Sequence, residues 1–357
     1  MNSENLKLSE NRNYLGCNME WTKEQIISFQ MHNKIDLAKI NATLQPDKNL
    51  SGKVGIFAPG QNGDLITAMS VLKYREQIFG NKGIIWFANA PNAEALCYSP
   101  ISEVRPWPWA NNGLPENSPD FYPLLCDENN RLNKSLAKDY KLTADLDEGF
   151  FPMAWMLLPQ KRHGIDYPNC SRKVFGIQDD YPWHPVLSFS DDEKIMAATF
   201  MERLPPTKTI MWETFAGSDQ SKLSDEMVKK GISICKEKWP WCNIIFVSHK
   251  YLKAQEKFPD NFFEQDGIYS GADFTVRQCA LLNHFCKLLI SVSSGISVAC
   301  SAWGMNIPII QYTGSFICST KSLSNGRFEL VTADNKTKEV AEKEFEEKLI
   351  ELLNEYK

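Results

Sequence analysis

No uninterrupted apolar run in these 357 residues reaches the roughly 18 needed to cross a bilayer. The opening residues 1–16 are polar and lack the apolar core of a signal peptide, so a cytoplasmic protein without a transmembrane segment is expected. Paired metal-ligand spacings are missing too. The ten cysteines, from Cys17 to Cys318, include no C-x-x-C, and the five histidines form no H-E-x-x-H, so no metal is expected. Neither G-x-G-x-x-G nor G-x-x-x-x-G-K-[ST] occurs, which argues against a dinucleotide dehydrogenase or a P-loop nucleotidase. Excess charge of one sign is scarce: 39 Lys+Arg against 44 Asp+Glu leave a net charge of −5. That total disfavours nucleic acid or an anionic membrane as a partner, although a local basic groove would suffice for either.

What is present is ordinary globular material, 43% apolar and 23% charged, long enough for two domains. The apolar run from Val54 to the Pro59-Gly60 turn reads as a strand, and 83–89 reads as another. Between them, Leu65, Met69, Leu72 and Phe79 predict one helix, with Asp64 at its N-cap and Gly80 at its stop. Strand, helix and strand make a βαβ unit and imply a parallel sheet. Residues 104–185 are less regular and rich in Pro, Trp and Tyr. The alternation resumes with a helix over 191–203 capped by Ser190 and a strand over 209–215. It continues through a helix over 224–238 capped by Ser224, a strand over 243–248, a helix over 275–286, a strand over 287–293, a helix over 296–303 and a strand over 307–312. The expectation is an α/β protein of two Rossmann-like domains facing a central cleft. Its parts are a tail and helical extension at 1–50, a first domain at 51–185, a second at 186–335, and a C-terminal helix at 336–357.

Ligands of such folds bind beyond the carboxyl ends of the strands, so the turns after the strands carry the chemistry. The first, 58–64, brings Asn62, Gly63 and Asp64 to a helix start. Asp64 reads either as a helix cap or as a general base projecting into the cleft. The second, 216–222, has small and hydroxyl residues and one lysine before a helix. Gly217, Ser218, Ser221 and Lys222 are a candidate diphosphate cradle, with an ordinary solvated loop as the alternative. The third, 291–297, offers Ser293, Ser294 and Gly295 for a second anion or for sugar hydroxyls.

Taken together, these residues resemble the heptosyltransferase-like glycosyltransferases, glycosyltransferase family 9, of the GT-B architecture. The likeness runs through Val54-Gly-Ile-Phe57, Gly63-Asp64-Leu65, Phe175-Gly176, Pro182 to Pro185, Ala216-Gly217-Ser218 with Lys222, Leu288-Leu-Ile-Ser291, Ser294-Gly295, and Gly304-Met-Asn-Ile-Pro-Ile-Ile310. It spans about residues 54–315, three-quarters of the chain. The resemblance implies metal-independent, inverting transfer from a nucleotide-diphosphate sugar, with no cofactor. The acceptor, a glycan or another hydroxyl, would bind the first domain and the donor the second. Asp64 would be the base, and Lys222 would neutralise the leaving diphosphate. Ser293 stands where many members carry an acidic residue, which leaves the donor sugar open. Glu213 and Thr214 replace the more usual His-Pro, and Glu213 reads equally as a nucleotide or sugar contact and as a buried pair partner.

Lesser candidates complete the reading. His249 follows a strand where a base or ribose would lie, and Trp107 and Trp109 form either a sugar platform or loop packing. Lys161-Arg162-His163 is a short basic cluster, His284 an expected core residue, and Trp239-Pro240-Trp241 structural. Three other functions fit the same fold: a DNA-base or protein glycosyltransferase, a sugar-nucleotide epimerase or hydrolase, and a non-catalytic nucleotide-sugar-binding protein.

Overall fold

The computed structural model describes residues 37–57, 62–88, 90–106, 146, 150–152, 172, 175–178, 181–216, 221–247, 267–271, 273–302, 304–314 and 323–356. The chain divides into two compact units, Met1–Pro182 and Trp183–Lys357.

The first unit is built on four parallel strands, β1 (Lys53–Phe57), β2 (Gly83–Ala88), β3 (Glu103–Pro106) and β4 (Phe150–Pro152), in the order β3-β2-β1-β4. A parallel sheet needs cover on both faces, and β2 is accordingly buried at every residue. The single helix expected over 64–80 is instead three pieces: α1 (Asn62–Ala68), a 3₁₀ stretch (Met69–Tyr74) and α2 (Arg75–Phe79). Thr67 donates its hydroxyl to the Gly63 carbonyl at 2.7 Å, a back-bond of the kind that bends helices. Leu65 to Leu72 are all buried, so the segment is enclosed rather than amphipathic.

The second unit carries six parallel strands: β5 (Thr209–Glu213), β6 (Asn243–Val247), β7 (Ile268–Ser270), β8 (Leu288–Val292), β9 (Ile309–Thr313) and β10 (Phe328–Thr332). Their order, β10-β9-β8-β5-β6-β7, is the doubly wound one, with the reversal between β5 and β8. The helices of this unit are α3 (Asp191–Glu202), which precedes β5, the connecting α4 (Asp225–Lys238), α5 (Val276–Asn283) and α6 (Gly295–Ala299), and the terminal α7 (Lys338–Glu355), which follows β10. β7 and β10 escaped the sequence reading, the first because it is three residues long and the second because its half-buried Phe-Glu-Leu-Val-Thr pattern is that of an edge.

Alternate side chains feed two cores. Trp212, Ile244, Phe246, Ile290 and Ile310 meet α4 and α7, while Met211, Ile245, Val247, Leu289 and Ile309 meet α3 and α5. Gly231 lets α4 close on the sheet, since a Cβ there would stand 2.5 Å from Trp212 Cη2. Phe345, Leu349, Leu352 and Leu353 place the apolar face of α7 in the second unit's own core, and the Trp239 indole donates to the Leu353 carbonyl at 2.8 Å. Trp241, by contrast, is 83% exposed. His284 ends α5 on the exposed side, not in the core, because the helix turns its buried stripe through Cys279, Ala280, Leu282 and Asn283.

Capping follows the sequence closely. Ser190 accepts the Glu193 amide at 3.1 Å and gives its own amide to the Glu193 carboxylate at 2.8 Å, a capping box. That same carboxylate takes a forked pair from Arg277 of α5, at 2.9 and 2.8 Å, and Arg277 is 1% exposed. Burial acts to raise the Glu193 pKa, and the hydrogen bonds from Arg277 and Ser190 overcome it and hold the group below its ordinary range. Removing the acid would strand a buried guanidinium. Glu193→Ala is expected to destabilise the protein by about 3 kcal/mol in urea unfolding, whereas a surface pair would give less than about 1 kcal/mol.

Candidate functional site

In the first unit, β1 leads directly toward α1, beside the point where strand order reverses between β1 and β4. Asn62, Gly63 and Asp64 form the first turn of α1 and are partly buried. Asp64 is thus the third residue of the helix, one turn inside the N-cap position the spacing suggested. Below it, Leu65 to Ala68 are fixed in the core.

In the second unit, β5 is likewise the first strand and lies at the reversal. Past its end the chain folds back on itself. Phe215 bridges Lys222 antiparallel, the Ala216 amide donates to the Ser221 carbonyl, and the Leu223 amide donates to the Thr214 carbonyl, both at 3.1 Å. This bridge holds Lys222, partly exposed, two residues ahead of the Ser224 cap of α4. Ser221 is buried and accepts the Gly314 amide at 3.2 Å, tying the turn to the end of β9. Thr214 is buried, and its hydroxyl has no hydrogen-bond partner among the described residues.

Beyond β8, Ser293 is buried and Ser294 caps α6, accepting the Ile296 and Ser297 amides at 3.1 Å each. The Ser297 hydroxyl returns to the Ser294 carbonyl at 2.8 Å and accepts from the Gln311 amide of β9 at 3.0 Å. Gly295 opens the helix.

Glu213 is 1% exposed, and its Oε2 has no hydrogen-bond partner among the described residues. It follows Trp212, which pairs with Ile290, so it stands level with Ser291, itself paired with Gln311. The three central strands therefore end in a buried polar row, Glu213, Ser291 and Gln311, on the face covered by α5 and α6. The Ser291 hydroxyl and the Thr313 hydroxyl are also unpartnered among the described residues. Burial pushes the Glu213 carboxyl up to about 8, against the Ser294 hydroxyl and the Val292 amide, which pull it down. Glu213 is thus buried, and among the described residues no cation forms a salt bridge with it.

Gln311 and Thr313 were not singled out from the sequence, and Ser291 was read only as the start of the 291–297 turn and as part of the Leu288–Ser291 motif. Their signal was there: Met-Trp-Glu, Leu-Ile-Ser and Ile-Ile-Gln each switch to a polar side chain at the same level of a buried strand. Gly217, Ser218, His249, Trp107, Trp109 and Lys161 to His163 lie outside the described residues. Among the described residues, no group of three His, Cys, Asp or Glu gathers as a metal site, and no helix is long and apolar enough to cross a membrane.

No protein-family model matches the chain, and no curated protein matches it in sequence. Solved structures do. A family 9 glycosyl transferase from Veillonella parvula superposes with a TM-score of 0.57 at 13% identity, covering 87% of this chain and 99% of its own. The ADP-heptose LPS heptosyltransferase II of E. coli gives 0.53 at 14% identity, covering 85% and 99%. The chain has the GT-B fold. Within GT-B, the two places the sequence marked, the Asp64 turn and the Lys222 turn, each follow the first strand of a doubly wound unit.

Proposed function

We propose that the protein is a glycosyltransferase that moves a sugar from a nucleotide-diphosphate sugar to an acceptor hydroxyl, with inversion and without a bound metal. One observation carries the reading. Asp64 and Lys222 each stand just past the carboxyl end of a first strand, at the reversal of strand order where such sheets receive ligands.

In this reading the acceptor oxygen bonds to the anomeric carbon as its proton passes to the Asp64 carboxylate. The bond from that carbon to the diphosphate breaks in the same displacement, and the electron pair leaves on the diphosphate. Lys222 meets the charge that develops there. A glycan is the favoured acceptor. A single displacement inverts the anomeric centre, which leaves a sharp stereochemical signature in the product.

The test is a thermal-shift screen against ADP-, UDP-, GDP- and CDP-sugars, with and without EDTA. ADP comes first because the E. coli neighbour is named for ADP-heptose. Ligand at 100 times its Kd adds about 2.7 kcal/mol to the native state, a readily measured rise in midpoint. One nucleotide class is expected to raise the midpoint, equally with EDTA. Lys222→Ala is expected to reduce that rise and to lower turnover on the order of 10²-fold. A flat screen at high nucleotide concentration would overturn the donor assignment, and a rise abolished by EDTA would overturn metal independence.

A further inference from the structure

Of the five large apolar side chains exposed among the described residues, three gather on one edge of the second unit: Trp241 at 83%, Phe285 at 42% and Tyr356 at 37%. All six strands of this sheet are parallel, so their amino ends share that edge. Trp241 leads into β6 and Phe285 into β8, with Lys208 leading into β5 between them. Hydrogen bonds join these approaches. The Asn243 amide donates to the Lys208 carbonyl and the Lys287 amide to the Thr209 carbonyl, both at 2.8 Å. Tyr356 ends α7 on the same edge, where its carbonyl accepts from the Lys208 ammonium at 2.8 Å.

Trp241 is held outward against its own backbone preference. The Cys242 amide closes a turn on the Trp239 carbonyl at 3.1 Å, with Pro240 and Trp241 at its centre. Trp241 has φ +69°, the left-handed region that this turn position ordinarily gives to glycine or asparagine. The turn is firmly seated: Lys208 lies 4.5 Å over the Trp239 ring, and Lys236 donates to the Cys242 carbonyl at 2.7 Å. An indole that is strained, rigidly mounted and outside the core points to a function. The edge also carries local positive charge. Lys238 takes Glu237 at 3.1 Å, Arg203 follows Glu202, and Arg327 holds Glu351 and Glu355 beneath β10. Lys208 and Lys287 have no carboxylate partner among the described residues, and they stand between the exposed aromatics.

We propose that the amino edge of the second sheet docks on the surface of an anionic bilayer, with Trp241 entering the headgroup layer and Lys208 and Lys287 meeting lipid phosphates or carboxylates. Aromatic side chains with one polar atom settle at such an interface, and lysines beside them add attraction to anionic lipid. Charge decides against a second copy of this chain, since an isologous face would set the same lysines against one another. The strands of this sheet are mostly five residues long, so the donor turns leave its other edge about 17 Å away. Docking here leaves that end clear of lipid. The inference goes beyond the donor reading and does not depend on it.

The experiment is co-sedimentation of the full chain with vesicles of phosphatidylcholine, with and without about one-third phosphatidylserine, alongside sedimentation velocity without lipid. Wild type is expected to partition onto the anionic vesicles and to come off as salt is raised. Trp241→Gly is expected to lower the partition coefficient about tenfold, the loss of a half-buried indole. Glycine takes the left-handed turn position without strain, so this variant is expected to keep or raise the thermal midpoint. Lys287→Gln is expected to cost about fivefold, and only on anionic vesicles. Ile195→Ser, at an exposed apolar residue of α3, is expected to bind as wild type does. Equal sedimentation with both vesicle types, or with neither, would overturn the inference, as would a Trp241→Gly protein that binds like wild type. Self-association that Trp241→Gly abolishes, in a chain that ignores vesicles, would give this edge to a second copy instead.

Discussion

Asp64→Asn is expected to lower turnover by about 10²- to 10⁴-fold while leaving donor affinity unchanged, the range over which a positioned base acts. Asparagine keeps the shape and hydrogen-bonding reach of the side chain and removes its capacity to take a proton. The change lies in the first turn of α1, and the next four residues, Leu65 to Ala68, hold that turn in the core, so the backbone has little reason to move. A fall in kcat with donor Kd preserved assigns Asp64 to the chemical step rather than to binding. Wild-type turnover in the Asn variant would make Asp64 a local structural residue and remove it from the mechanism. A wild-type protein that binds nucleotide sugar, transfers to no acceptor and is indifferent to the substitution would be a binding protein on the same fold. An epimerase or hydrolase would react without any acceptor.

The parts of this molecule that were legible in sequence are those where local chemistry and tertiary packing agree. Ser190 and Ser224 are polar caps standing before helix-forming runs, and both accept the amide three residues on. The apolar strands β5, β6, β8 and β9 are buried at every residue, so unbroken hydrophobicity identified them. Failures occurred where packing overrode periodicity. The segment from Leu65 to Leu72 is enclosed on all sides, so its helical spacing says little about a face. The charged alternation of α7 reads as a helix that would fit many surfaces, and only the sheet shows where it lies. The Asp64 and Lys222 turns were visible because turns advertise themselves with Gly, Ser and Asp. Gln311 and Thr313 were not, since each is a polar residue within a strand that is otherwise apolar. Their significance depends on strand register, which one sequence does not display.

Glu213 makes a second large effect measurable without any ligand. Its carboxyl has a folded-state pKa of about 8 against 4.5 for the unconstrained group, so between those values the native state holds a proton that the unfolded chain has released. Stability contributed this way is fully present below about pH 4.5 and falls as pH rises, at about 1.4 kcal/mol per pH unit, until the folded group also ionises near pH 8. Between pH 5 and 8.5 the loss amounts to about 4 kcal/mol. Glu213→Gln carries no such proton, so its stability lacks that component of the slope. Urea unfolding of the two proteins across this range isolates the difference, because every other titrating group, in either unit, is common to both. The Gln variant is expected to gain steadily on wild type from pH 5 upward and then to hold its lead above pH 8. Parallel curves would mean that Glu213 is ionised in the native state at neutral pH. The expected divergence would establish that the fold maintains, at the reversal of its second sheet, a buried proton that stability alone does not call for.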